Sequence, residues 1–285
     1  MTTIWTAALG RYPHTAALLD GTVTSPLLAL DFVPVAPISR AFAPMVRDGA
    51  YDVSEMAIAT FLQARAWNKP VVLLPVAVAA RFQEGALLCR VDSDIRGPAD
   101  LRGRRIGVRA YSQTTGMWLR GILADDFGIA AEEMGWTTFE GAHVPEYADP
   151  AFVQRAPAGK DLLGMLRSGE IDAAILGNDM PDDPGLRTVF PDPVAAGGSF
   201  FARHGFVPVN HLVVVRAPLA ATSPALVAEL VRMFGAARGA ALLPAGREAL
   251  SQAIALALRY MAAQQMLPRA MVAEESWSGL PQDIR

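Results

Sequence analysis

Short apolar runs that read as β-strands alternate with helical segments along this chain, and the series is interrupted once and then resumed. Ile4–Leu9, Leu27–Val33, the run opening at Tyr51–Ser54, and Val71–Pro75 form a first set of strands. Ala16–Leu19, Arg40–Asp48 and Ala57–Ala66 are the helical segments between them, with Thr15 as an N-cap. A second set begins after Arg96-Gly97-Pro98-Ala99-Asp100-Leu101-Arg102-Gly103. It comprises Arg105–Val108, Trp136–Glu140 and Ile171–Leu176, with helices over Gly116–Asp126 and Leu162–Ser168. Pro208–Arg216 is a late strand, and Pro224 to about Met266 is helical. Strands and helices in this order imply parallel βαβ units in two sheets. The expected architecture is a two-lobed α/β fold. Residues 1–91 and 208–285 form the first lobe, 92–207 the second, with crossings near 88–94 and 206–212 and a ligand cleft between.

Composition supports two buried sheets. Of the 285 residues, 52% are hydrophobic and 19% charged, which supplies two cores and leaves no case for disorder. The net charge of −3 comes without a basic block, so nucleic acid is not an expected partner. Val71–Ala80 contains Pro75 and is about half the length of a membrane span, so no membrane partner is expected either. Met1–Leu9 lacks a basic n-region, and Gly10, Arg11 and Pro13 interrupt any apolar h-region, which makes the expected location cytoplasmic. Cys89, the single cysteine, allows no internal disulfide and reads as a small buried hydrophobe. A homo-oligomer is compatible with this composition.

Several polar residues sit where strands end. Loops at the carboxyl ends of strands in an open α/β sheet form the ligand crevice. Ser112-Gln113-Thr114-Thr115 lies between a strand and a helix, where hydroxyls and free N–H groups cradle a carboxylate or phenolate. One such residue suffices for a cap, and four exceed that need. Arg120, about one turn further on, can pair bidentately with a carboxylate or stand as an exposed helix arginine, and Arg11 has the same two readings. His14 follows the first strand, and Glu55 takes the equivalent place after Val53, with Ser54 as a cap of its helix. His14 and Glu55 make an acid/base pair able to move protons at neutral pH. His211, at the return crossing, is the third candidate, whereas His143 and His204 read as surface residues of Pro/Gly-rich stretches. The glycines around Arg105–Val108 do not form a dinucleotide fingerprint, and no organic cofactor is expected. The spacing gives no positive sign of a metal; His14, Glu55 and His211 are the side chains that would hold a divalent ion.

Four segments in order resemble the 4,5-dihydroxyphthalate decarboxylase family, whose members are related to type 2 periplasmic substrate-binding proteins. They are Leu9–Thr15, Tyr51–Met56, Arg96–Val108 and Met117-Trp118-Leu119-Arg120-Gly121-Ile122-Leu123, supported by Leu166–Ala173, Asn210–Val214 and Gln264–Arg269. The resemblance spans nearly the whole chain. It implies the periplasmic-binding-protein type 2 fold and loss of CO₂ from a small hydroxylated aromatic acid. His14 or Glu55 then protonates the ring carbon and His211 polarises the phenol. Arg11, Ser54, Ser112, Gln113, Thr114, Thr115, Trp118, Arg120 and Asn178 are the implied substrate contacts. Family members usually carry Phe-Arg-His where this chain has Phe82-Gln83-Glu84, and Pro-Arg-Pro where it has Gly177-Asn178-Asp179-Met180-Pro181. Acids in those places would face a second carboxylate, so poor activity on 4,5-dihydroxyphthalate itself is expected. A non-catalytic binding or sensor protein for a small carboxylate is the alternative on the same fold.

Overall fold

A computed structural model describes residues 2–177, 180–239, 241 and 243–284. The first part of the chain runs β1 (Thr3–Ala8), α1 (Ala16–Leu19), β2 (Leu28–Phe32), α2 (Phe42–Asp48), β3 (Val53–Ala57), α3 (Ile58–Ala66) and β4 (Val71–Ala80). The middle runs β5 (Leu87–Arg90), β6 (Arg105–Val108), α4 (Thr114–Phe127), β7 (Gly135–Thr138), β8 (Val153–Arg155), α5 (Leu162–Ser168), β9 (Ala173–Ile175), β10 (Leu186–Thr188) and α6 (Pro193–His204). The chain then returns through β11 (Val209–Arg216) and closes with α7 (Ala217–Thr222), α8 (Pro224–Arg238) and α9 (Arg247–Ala263).

Two sheets result, one per lobe. The first has the order β2-β1-β3-β11-β4, and the second β10-β5-β9-β6-β7-β8. Ile4 and Ile106 therefore lie in different sheets. The division falls earlier than the sequence suggests: β5 pairs with β9 and β10 in the second sheet, so the chain crosses within 81–86 rather than near 88–94. The apolar run through Cys89 gave no mark of that change. The return, between α6 and β11, falls near the expected 206–212.

The late strand β11 enters between β3 and β4, antiparallel to both, and so closes the parallel set β2-β1-β3. Its Leu212–Val215 stretch is buried throughout, as is β3, which fits an interior strand covered on both faces. β4 extends through Pro75 to Ala80, beyond the expected end. A proline without an N–H is tolerated there because β4 is the edge strand and its ladder with β11 is bulged. The register shifts on both sides of His211, and such bulges re-aim side chains beside functional sites.

The helix α4 follows a strand of the second sheet, yet it is locked to elements of the first lobe. Trp118 Nε1 donates to the Val209 carbonyl (2.9 Å), and Gln264 Nε2 donates to the Met117 carbonyl (2.9 Å). Arg120 is 1% exposed, donates from Nε to Gln264 Oε1 (2.7 Å) and from a terminal nitrogen to the Tyr111 carbonyl (2.6 Å), and stacks 3.9 Å over the Tyr111 ring. Tyr260 of α9 packs so tightly on Gly121 that a Cβ there would meet its ring at 2.1 Å. Trp118 and Arg120 are thus interior pins and not ligand contacts. Arg120→Met leaves two buried acceptors unpartnered and is expected to lower the unfolding free energy by about 2–4 kcal/mol in a urea titration. A change within about 0.5 kcal/mol, the range of ordinary surface substitutions, would contradict that role.

Candidate functional site

A cleft of about 940 Å³ opens between the lobes. Three of the chain's four histidines, His14, His143 and His211, line it. Ser112, Gln113, Thr114 and Thr115 face them from the second lobe, and Arg81 lines it at the crossing.

The first-lobe wall is organised around a buried carboxylate. Glu55 lies in the middle of β3 and not at a helix start, and it has no exposed surface. Val213 is its partner across the ladder and Ala57 is that of His211. Glu55 and His211 are therefore diagonal neighbours on one face, close enough for long side chains to meet. His211 Nδ1 donates to Glu55 Oε1 (2.6 Å), the Tyr12 hydroxyl donates to the same oxygen (2.7 Å), and the Gly10 N–H donates to Oε2 (2.8 Å). Burial, then the Glu55 carboxylate, push the Tyr12 phenol far up, so it keeps its proton and remains a donor.

The loop that delivers Gly10 and Tyr12 is tied by Thr15. Its hydroxyl donates to the Gly10 carbonyl (2.7 Å) and accepts from the Tyr12 N–H (2.9 Å), and it forms no side-chain cap on α1. A Cβ at Gly10 would come within 2.7–2.8 Å of the Tyr12 side chain, so only glycine lets Tyr12 fold back onto Glu55.

With Nδ1 occupied, His211 presents Nε2 to the cleft, and that nitrogen has no hydrogen-bond partner among the described residues. Phe42 meets the His211 ring edge-on at 5.1 Å and the His143 ring at 5.8 Å. His143 Nδ1 is 2.8 Å from the Thr60 hydroxyl, and its backbone carbonyl accepts from Arg47. Burial foremost, then the charges of Arg109 and Arg47, hold the His143 imidazole down at about 4, so it is neutral at pH 7. The His14 ring stacks on Tyr12 at 5.3 Å, and its Nε2 donates to the Val78 carbonyl (2.9 Å).

The second-lobe wall is formed around the N-terminus of α4. Gln113 caps α4 without a side-chain hydrogen bond, so the N–H groups of the first turn lack intrahelical acceptors. Ser112 is 8% exposed and its hydroxyl has no partner among the described residues. Arg81 donates to the Thr115 hydroxyl (3.2 Å) and the Gly177 carbonyl (2.9 Å), and no described carboxylate pairs with it. By contrast, Lys160 is paired with Glu170 at 2.8 Å, and Arg109 has Glu140 at 3.7 Å. A fixed, unneutralised guanidinium beside a helix N-terminus is suited to a carboxylate.

Several expected contacts lie elsewhere. Arg11 is exposed outside the cleft, and Ser54 is fully buried, donating to the Glu55 carbonyl at 2.7 Å and capping no helix. Trp118 and Arg120 are interior, as described above. Asn178 and Asp179 lie outside the described residues. Gln83 and Glu84 are buried away from the cleft, which removes the expectation that acids there face the ligand. Gln83 bonds to Asn210, while neither Glu84 oxygen has a partner among the described residues and burial pushes that carboxyl up. His204 packs on Phe200 and Phe206 away from the cleft. Tyr12 and Arg81 were not singled out in the sequence, and His143, read there as a surface residue, instead lines the cleft. Arg81 carried a signal, as the first charge past an apolar strand; His143 carried none, because non-local contacts place its loop. Among the described residues no group of three or more His, Cys, Asp or Glu is arranged to hold a metal ion. No described helix is long and apolar enough to cross a membrane.

The fold and the inter-lobe cleft define a protein of the periplasmic-binding-protein type 2 architecture. The chain superposes on the aliphatic sulphonate binding protein SsuA of Escherichia coli with a TM-score of 0.52 at 17% identity, over 98% of this chain and 79% of that one. It matches the alkanesulfonate-binding protein SsuA of Xanthomonas axonopodis pv. citri, bound to MOPS, equally well (TM-score 0.52, 14% identity, 98% and 84% covered). A mutant of the desulfurization enzyme DszB in complex with biphenyl-2-sulfinic acid also gives 0.52, at 17% identity with 96% of both chains covered. In sequence, the chain is a distant homologue of 4,5-dihydroxyphthalate decarboxylase. It is 28% identical to the Comamonas testosteroni protein over 294 residues, covering 95% of this chain and 84% of that one. Identity to the Pseudomonas putida protein is 29% over 213 residues, covering 68% and 80%. No protein-family model matches the chain.

The depressed His143 value has a consequence for stability. The unfolded chain takes up a proton near pH 6.5 that the folded protein refuses until about pH 4, so stability falls as pH drops through that window. Denaturant titrations from pH 7 to 4 are expected to show a shallower loss for His143→Gln than for the wild type. Identical slopes would mean that His143 titrates freely in the folded protein.

Proposed function

We propose that this protein is a carboxy-lyase that removes CO₂ from a small hydroxylated aromatic acid held between its lobes. The observation that carries the reading is the Glu55–His211 pair. A wholly buried carboxylate fixes one imidazole nitrogen and leaves the other free at the cleft surface. A histidine serving only the packing needs no such access, and a carboxylate orienting an imidazole is a recurrent proton-transfer device. Distant homology to the decarboxylases supports the same reading.

In this proposal Arg81, Ser112, Thr115 and the first turn of α4 hold a carboxylate, and Phe42 bounds the aromatic ring. A phenol ortho or para to the departing carboxylate feeds electron density to the carbon that bears it. His211 delivers a proton from Nε2 to that carbon. The C–C bond to the carboxylate then breaks, its electron pair restores aromaticity, CO₂ leaves and the phenol is regained. Each turnover takes up one proton and releases one CO₂. Glu55 acts through His211, and Tyr12 and Gly10 hold Glu55. His14, with Nε2 occupied by Val78, is assigned to the cleft wall and not to proton transfer.

The test is to incubate the protein with hydroxylated benzoates and phthalates and to trap CO₂. Turnover of at least one is expected, with His211→Asn lowering kcat by about 10²–10⁴-fold while the dissociation constant of the acid changes little. Arg81→Met is expected to weaken binding of the same acid by about 1.5–3 kcal/mol, the loss of hydrogen bonds to a charged group. Tight binding of an acid with no CO₂ from any would instead mark a binding protein. Full activity of His211→Asn would overturn the assignment of the proton donor.

A further inference from the structure

A second pocket, of about 520 Å³, lies on the first-lobe side of the cleft between β4 and α8. Its walls include Pro75, Val76 and Ala77 of β4 and Val231, Phe234 and Gly235 of α8, and apolar surface exceeds polar. Arg238 also lines it, and its guanidinium donates to the carbonyls of Ala241 and Leu243, the backbone of its own loop. His14 and Val78 line both this pocket and the cleft. These two residues at the junction of the spaces are joined by the hydrogen bond from His14 Nε2 to the Val78 carbonyl, and the His14 ring stacks on Tyr12.

This arrangement exceeds what a single-ring acid requires. The cleft already holds the N-terminus of α4, the histidines and room for the ring, and an apolar space behind one hydrogen-bonded side chain adds nothing to their chemistry. Apolar pockets of several hundred cubic ångströms with few polar groups are ligand sites by their ordinary character. We propose that the pocket behind His14 receives a hydrophobic substituent, an alkyl chain or a second aryl ring, carried by the aromatic acid in the cleft. His14 gates it, swinging away from Val78 when the substituent enters. The inference rests on the reading of the cleft as a site for aromatic acids and adds the substrate class: apolar-substituted hydroxybenzoates rather than polar dicarboxylates.

Binding of 2-hydroxybenzoate and of its 4- and 5-hexyl derivatives is measured by calorimetry on the wild type, on Gly235→Phe and on His14→Ala. Gly235 lies on α8, and a Cβ there meets no atom within 4 Å, so a phenylalanine fills the pocket without displacing the helix. Thermal melts check that each variant folds. At least one hexyl acid is expected to bind wild type ten-fold or more tighter than 2-hydroxybenzoate. Gly235→Phe is expected to erase that gain and leave 2-hydroxybenzoate unchanged, and His14→Ala to enlarge it. A gain that survives Gly235→Phe, or no gain while 2-hydroxybenzoate itself binds, overturns the pocket assignment and leaves the cleft reading intact. If none of the three acids binds, the cleft reading fails and this inference falls with it.

Discussion

A carboxylate without solvent has to be met by donors, and in this protein that requirement shapes the first-lobe wall of the cleft. Glu55 sits in the central part of the first sheet with no exposed surface, where an unpaired charge would cost several kcal/mol. Three donors from two chain segments satisfy it: the Gly10 N–H and the Tyr12 hydroxyl from the loop after β1, and His211 from β11. The loop after β1, the central strand and the returning strand are thereby held in one arrangement. The bulges beside His211 belong to the same solution, because they let β11 stay paired with β4 while its histidine turns toward β3.

The opposite wall is held with comparable rigidity by different means. Trp118, Arg120 and Gln264 tie α4 to β11 and α9 through buried hydrogen bonds, and the Thr114 hydroxyl accepts from the Ala59 N–H at the start of α3. The helix whose N-terminus faces the cleft is thus anchored to the lobe that carries the histidines. Preorganised donors need no rearrangement when a charged ligand arrives. Arg120 contributes by packing: among the described residues it has no acidic partner within hydrogen-bonding distance, and its charge is met by the Tyr111 carbonyl, the Gln264 amide oxygen and the faces of Tyr111 and Trp136.

The sequence made the architecture legible because strand and helix periodicities survive tertiary packing, and the interruption of one βα series by another is a long-range pattern. The cleft position of Ser112–Thr115 was legible for a similar reason, since four polar residues between a strand and a helix are a local signal. The sequence misread Ser54 and Glu55 because a buried, fully paired carboxylate within a strand and an exposed one at a helix start look alike in one dimension. Trp118 and Arg120 read as ligand contacts on the same ground: nothing in their own segment discloses that α9 covers them. His143 stands in the cleft because of contacts across the fold, through Thr60 and Arg47, and is not specified locally, whereas Arg81 is marked only as the first charge past an apolar strand. The crossing at 81–86 escaped notice because the apolar run of β5 is indistinguishable from a further strand of the first sheet.

In the proposed reading, the lobes present a carboxylate anchor on one side and an oriented, half-free imidazole on the other to one aromatic ligand. A crystal structure with a hydroxylated benzoate bound would show this arrangement at once. The carboxylate is expected on Arg81, Ser112 and the first turn of α4, with the ring against Phe42 and within reach of His211 Nε2 while Nδ1 remains on Glu55. A carboxylate seated elsewhere, or a His211 ring turned away from the ligand, would overturn that reading.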